Sequence, residues 1–126
     1  MKSKIVEYFT RREEDLALVL TELGLKRNIA KVLVYLMNTA GHDTTSRDIE
    51  RGADLRQPEV CLALGYLVEK KWLSCEEQKT ECKGRPVKIY RLMVQPGDII
   101  DEIEVTKKKE IKETLTRIEK LRTCIS

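Results

Sequence analysis

The chain has 126 residues, the size of one ordinary domain, with 41% hydrophobic, 5% aromatic and 36% charged residues and a formal net charge of +3. That apolar share excludes a disordered chain, and the scarcity of aromatics predicts a core of Leu, Ile and Val. No stretch approaches the ~18 consecutive apolar residues of a membrane span. The charged N-terminus lacks the apolar centre of a signal peptide, so a cytoplasmic protein without membrane partners is expected.

Residues 4 to 23 read as a helix with a break near Thr10 to Arg12. Ile5, Phe9, Leu16, Val19, Leu20 and Leu23 recur at helical spacing, and Gly24 suits the end. "LKRNIAKVLVYLMNTAG" predicts a second helix: Ile29, Val32, Leu33, Leu36 and Met37 follow the i, i+3, i+4, i+7 rule, and Gly41 closes it. "HDTTSRDIERGADL" predicts a shorter one. Thr45 is its N-cap, Asp48 stands at the third helical position, Ile49 anchors it and Gly52 ends it. In "RQPEVCLALGYLVEKKW" Pro58 fits the first turn of a further helix, and Val60, Leu64, Leu67 and Val68 form its core stripe.

A strand at 72–77, a polar turn from Gln78 to Pro86 and a strand at 87–92 read as a β-hairpin. "QPGD" breaks the chain, with Asp98 as the next N-cap. A long helix then runs to about Arg122, with Ile99, Ile100, Ile103, Ile111, Leu115, Ile118 and Leu121 as its apolar residues. There is no internal repeat and no low-complexity segment.

Helix, short helix, tight link, helix and charged hairpin is the order of a winged helix-turn-helix, a mainly α fold with a small β-hairpin (α+β). The expected organisation is an N-terminal helix at 1–23, a winged-helix DNA-binding domain at 24–95 and a C-terminal dimerisation helix at 96–126. "LGLKRNIAKVLVYL", "TTSRDIERGADLRQPEVCLALGYLVEKKWLS" and "KGRPVKIYRL" resemble the archaeal winged-helix regulators of the TrmB, ArsR and MarR type, over roughly residues 23 to 92. The junction "LVEKKWL" and the wing return carry most of the likeness. The resemblance implies a dimeric DNA-binding transcription factor. The ligand pocket some relatives carry is not expected, because little follows the winged helix.

Gln78 to Leu92 holds five basic residues, Lys79, Lys83, Arg85, Lys88 and Arg91, against one acidic, Glu81. On a wing, Lys79, Lys83, Arg85 and Lys88 can reach phosphates or a narrow minor groove. Gly84 eases the turn and Pro86 stiffens the return. On the helix that would enter the major groove, the face opposite Val60 is Pro58, Glu59, Leu62, Gly65, Tyr66 and Glu69, which is poor in the Arg, Lys, Asn and Gln that read bases. Arg56 and Gln57 at its start are the polar readers. Leu62 and Tyr66 can meet thymine methyls. Glu59 can accept from a cytosine amino group or serve the helix start. Thr45 completes the DNA-facing set.

The last helix is acidic from Asp98 to Thr106 and basic from Lys107 to Arg122, which complements its dipole. Its apolar residues Ile103, Ile111, Leu115, Ile118 and Leu121, with Ile5 and Phe9 of the first helix, make it a homodimer interface. Four cysteines occur without a C-x-x-C pair, which fits free thiols in a reducing compartment. Cys75 is expected in the core and Cys61 to be partly buried. Cys82 in the basic turn and Cys124 near the C-terminus are the redox candidates. His42 stands alone, and no Walker loop, dinucleotide fingerprint or catalytic triad occurs. A non-enzyme without cofactor or metal is expected. The alternatives to a regulator are a winged-helix protein-interaction module and a thiol-based redox sensor.

Overall fold

The structure, a computed structural model, describes residues 11–39, 42–78 and 86–125. It divides into two compact units, Met1–Gln95 and Pro96–Ser126. The first holds α1 (Arg11–Glu22), α2 (Arg27–Asn38), α3 (Ser46–Ala53), α4 (Gln57–Glu69), β1 (Leu73–Gln78) and β2 (Val87–Leu92); the second is α5 (Pro96–Ile125). The fold is the expected winged helix-turn-helix.

Helix α2 is the central element. Ile29, Ala30, Val32, Leu33, Val34 and Leu36 are all buried, because α1, α3, α4 and β2 pack around it. Even Lys31 is buried, its ammonium 3.5 Å from the carbonyl of Asp54. Helix α1 meets α2 through small side chains. Ala17 packs with Ala30 and Val34, flanked by Leu20, and Glu13 accepts from the Asn38 side-chain amide. The remaining apolar spacing of α1 points away: Leu16, Val19 and Leu23 are exposed. Ile5 and Phe9 lie outside the described residues. Gly24 ends this segment in a left-handed conformation, φ 110°, which glycine adopts without a steric penalty.

Thr45 caps α3 as its sequence predicts, its Oγ1 accepting from the Asp48 N–H at 3.2 Å, and Ile49 is fully buried. Gly52 does not end the helix. The helix continues to Ala53, and Asp54 takes the left-handed cap at φ 54°, ψ 55°, donating its N–H to Glu50; a short polar side chain tolerates that conformation. Glycine is required at 52 for a different reason. A Cβ there would lie 1.9 Å from Cε1 of Tyr35.

Helix α4 buries Val60, Ala63, Leu64 and Leu67. Val68, expected in this stripe, is exposed, because Ala63 takes the inward position instead. Lys71 at φ 67° turns the chain out of the helix, and the Trp72 N–H closes the turn on the Leu67 carbonyl at 3.1 Å. Trp72 is buried, with the Lys70 ammonium 5.4 Å from its ring centre, a cation–π arrangement.

The hairpin pairs Leu73 with Leu92, Cys75 with Tyr90 and Gln78 with Val87 in antiparallel register, so β1 starts one residue later than predicted. Thr44 adds a single bridge on the other side of β2. Its N–H donates to Tyr90 O at 3.0 Å, and Tyr90 N–H returns to Thr44 O at 2.7 Å. Cys75 is exposed rather than in the core. It shares the face of Leu73 and stands directly across from Tyr90, which is the residue buried at that level of the ribbon. Cys61 is exposed too.

Tyr90 is buried. Burial, then the charge and hydrogen bond of Cys75, then the charge of Cys61, push its hydroxyl up from 10.0 to about 12. A raised acid holds its proton in the folded state. Its contribution to stability is therefore complete below pH 10 and is lost as pH rises toward about 12. Tyrosinate absorbance should show a component that ionises near pH 12 and is lost in Tyr90→Phe, and Cys75→Ala should bring its midpoint down. A Tyr90 midpoint at 10 in the wild type would refute this.

Helix α5 begins at Pro96, so Asp98 is in its first turn and is not the N-cap. Proline suits that position because its missing N–H has no intrahelical partner there. From Lys108 to Ile125 every residue is exposed. Three intrahelical ion pairs decorate it: Lys107–Glu110 and Lys108–Glu104 at 3.0 Å each, and Arg122–Glu119 at 3.7 Å. Exposed pairs of this kind each add only a few tenths of a kcal/mol.

Candidate nucleic-acid interface

Pro58, Glu59, Leu62, Gly65, Tyr66 and Glu69 lie on the side of α4 away from its buried stripe. Leu62 is 74% exposed, while Tyr66 and Glu59 are half-buried. Arg56 and Gln57 are exposed at the helix start. Glu59 has a definite local task. Its Oε1 accepts from the Arg56 N–H at 3.0 Å, which satisfies one of the orphan amides of the first turn. The hydroxyl of Thr45 is likewise engaged with the start of α3.

Beside this face lies an open cleft of about 480 Å³ lined by Gly24, Leu25, Lys26, Asn28, Ile29, Leu62, Ala63 and Tyr66. It brings the start of α2 against the outward side of α4. Lys26 is exposed there, and the first turn of α2 itself has no acidic residue, whereas Arg27, also exposed, lines the cleft toward α1 together with Glu14 and Lys31. The positive end of the helix dipole and the Lys26 cation thus add their fields beside a weakly polar surface. These basic residues were not singled out in the sequence. The signal was present as the pair Lys26-Arg27 directly before an apolar-periodic run.

Of the predicted wing, Lys88 is exposed on β2, whereas Lys79, Cys82, Lys83 and Arg85 lie outside the described residues. Arg91, counted in the basic excess of the hairpin, is already paired. Its Nε and Nη2 both reach Oδ1 of Asp43, at 2.6 and 2.5 Å. That pair ties the hairpin to the segment before α3 and takes one cation out of the free charge of the wing.

On α5, Ile111, Leu115, Ile118 and Leu121 are between 40% and 62% exposed, and Ile103 is half-buried. Cys124 is exposed as well. Among the described residues no group of three or more His, Cys, Asp or Glu could hold a metal ion, and no helix is long and apolar enough to cross a membrane.

No family model and no curated protein matches the chain. Solved structures do share its fold. A possible transcriptional regulator of Methanosarcina mazei Go1 superposes with a TM-score of 0.61 at 20% identity, over 82% of this chain and 86% of that one. TrmBL2, an archaeal chromatin protein with a novel mode of DNA binding, gives 0.65 at 18% identity, over 87% of this chain and 40% of its own. A mutant MepR of S. aureus bound to an oligodeoxyribonucleotide gives 0.52 at 22%, over 83% and 74%. The fold is thus that of structurally characterised winged-helix regulators.

Proposed function

We propose that the protein is a DNA-binding transcriptional regulator that acts as a homodimer on duplex DNA. Helix α4 enters the major groove. The start of α2, with Lys26 and Arg27, and the hairpin, with Lys79, Lys83, Arg85 and Lys88, hold the phosphates on either side. The observation that carries this reading is the exposed face of α4 standing beside the positive end of α2 with its exposed Lys26. Arg56 and Gln57 offer donors to base edges, and Leu62 offers an apolar contact to thymine methyls. With so few polar readers, phosphate contacts and DNA shape supply most of the binding energy. The partner subunit is held by the apolar stripe of α5, with the uncovered Leu16 and Val19 of α1, and Leu23 just after it, as a second apolar surface. The winged-helix regulators it resembles in fold include proteins solved with DNA, in keeping with this reading.

The test is binding to random and genomic duplex pools over a salt series, with Lys83→Ala/Arg85→Ala in parallel. Affinity should fall steeply with salt. Each phosphate contact removed should lower the slope of log K against log salt by about 0.9. Absence of binding at low salt, under both reducing and oxidising conditions, would sink the reading. A protein-docking role is the second reading, favoured by the exposure of Leu62 and by its cleft with Tyr66. Under it, Leu62→Asp would abolish partner capture and the wing charges would be dispensable.

A further inference from the structure

Helix α5 carries a charge and spacing pattern that specifies more than association. Glu104, Ile111, Ile118 and Ile125 stand seven residues apart, and Ile100, Lys107, Thr114 and Leu121 form the neighbouring seven-residue series, so five of the eight positions are apolar. These are the two core edges of a coiled coil. The helix has four acidic residues and no basic one before Lys107, and seven basic residues against three acidic from Lys107 onward. Asp101 and Arg117 form no ion pair among the described residues. A single exposed helix gains little stability of its own in water, and its apolar stripe needs an occupant.

We infer that the occupant is α5 of a second copy of this chain, and that the two helices pair antiparallel. This rests on the homodimer proposed above and fixes its geometry. In a parallel pair, like meets like. Glu104 faces Glu104 of the partner subunit, Lys107 faces Lys107 of the partner subunit, and Arg117 lies across from Arg122 of the partner subunit. In an antiparallel pair with the two-fold axis between Lys112 and Glu113, the core edges still interlock. Ile100 then packs on Ile125 of the partner subunit and Ile111 on Thr114 of the partner subunit. The flanks become complementary: Asp101 faces Arg122 of the partner subunit, and Glu110 faces Arg117 of the partner subunit, each twice by symmetry. Lys107 and Glu104 lie against apolar partners with their charged ends turned outward. The basic half of each helix covers the acidic start of the other. Flanking charges of this kind set partner orientation in coiled coils. The two Pro96 positions come to lie about 50 Å apart, against roughly 10 Å in a parallel pair.

Cys124 reports the orientation directly. In the antiparallel pair it sits near Ile103 of the partner subunit, so the two Cys124 residues are separated by about 35 Å along the axis and cannot form a disulfide with each other. The experiment is pulsed dipolar spectroscopy on the full chain, nitroxide-labelled at Cys124 in a Cys61→Ser/Cys75→Ser/Cys82→Ser background, with mass measured by light scattering. A distance of about 30–40 Å in a dimer is the expected result. A dimer whose labels lie within about 15 Å overturns the antiparallel arrangement and leaves the dimer standing. A monomeric mass without dipolar coupling overturns the dimer itself. Arg117→Glu gives an independent sign. It weakens an antiparallel dimer, and adding Glu110→Arg restores it, whereas a parallel dimer would be strengthened by Arg117→Glu alone.

Discussion

Replacing Ile111 and Ile118 together by Asp should leave the protein monomeric and weaken its binding to a duplex with two half-sites by about 10²–10⁴-fold. Ile111 is 58% and Ile118 40% exposed in the single chain, and neither belongs to the buried core, so the substitution leaves the core of the first unit intact. What it removes in the proposed dimer is burial worth about 1.5–3 kcal/mol per large aliphatic side chain. Four such side chains are lost across a two-fold interface, and four carboxylates take their place in the seam. The loss in DNA affinity follows because two tethered heads bind with a high effective concentration that a monomer forfeits. Affinity for a single half-site should be unchanged. Light scattering and gel-shift assays on one-site and two-site duplexes check both parts. A variant that remains dimeric would place the interface away from α5.

Gly52→Ala should destabilise the protein by about 1–3 kcal/mol, against the usual expectation for a helix. Alanine in place of glycine ordinarily gains about 0.5–1 kcal/mol in a helix interior. Here the new Cβ would meet the Tyr35 ring at 1.9, 2.3 and 2.9 Å from Cε1, Cδ1 and Cζ. All are closer than atoms can pack, so the ring must leave its place between α2 and α3. That cost exceeds the helix gain, and the sign of the measured change decides between them. The lowered Tm should recover when Tyr35→Ala is added, since the clash is then gone. Chemical denaturation of the four-member cycle measures the coupling between the two sites. A stabilising Gly52→Ala would show that the ring swings aside at little cost.

The sequence by itself determined the order of the elements and most of their boundaries. Thr45 and Asp48 mark the start of α3, Pro58 the first turn of α4, Gly24 the end of the α1 segment, and the break at "QPGD" the start of α5. These signals act within about four residues, through caps, fixed φ angles and missing amides, so no knowledge of distant packing is needed to read them. The basic hairpin and the weakly polar face of α4 were legible for the same reason, being properties of a single element.

Tertiary structure alone decided the rest. Helix spacing in α1 marks apolar positions, but only packing on α2 selects Ala17 and Leu20 and leaves Leu16, Val19 and Leu23 uncovered. Strand parity puts Cys75 on the face of Leu73, but its cross-strand partner Tyr90 is the one buried at that level and Cys75 is left in solvent. The need for glycine at 52 comes from a ring on another helix. The pairing of Arg91 with Asp43 and the placing of Lys26 beside Leu62 and Tyr66 join residues far apart in the chain. Local composition sets which groups are available. Which of them meet depends on close packing of several elements at once, and that information is spread over the whole sequence rather than held in any one segment.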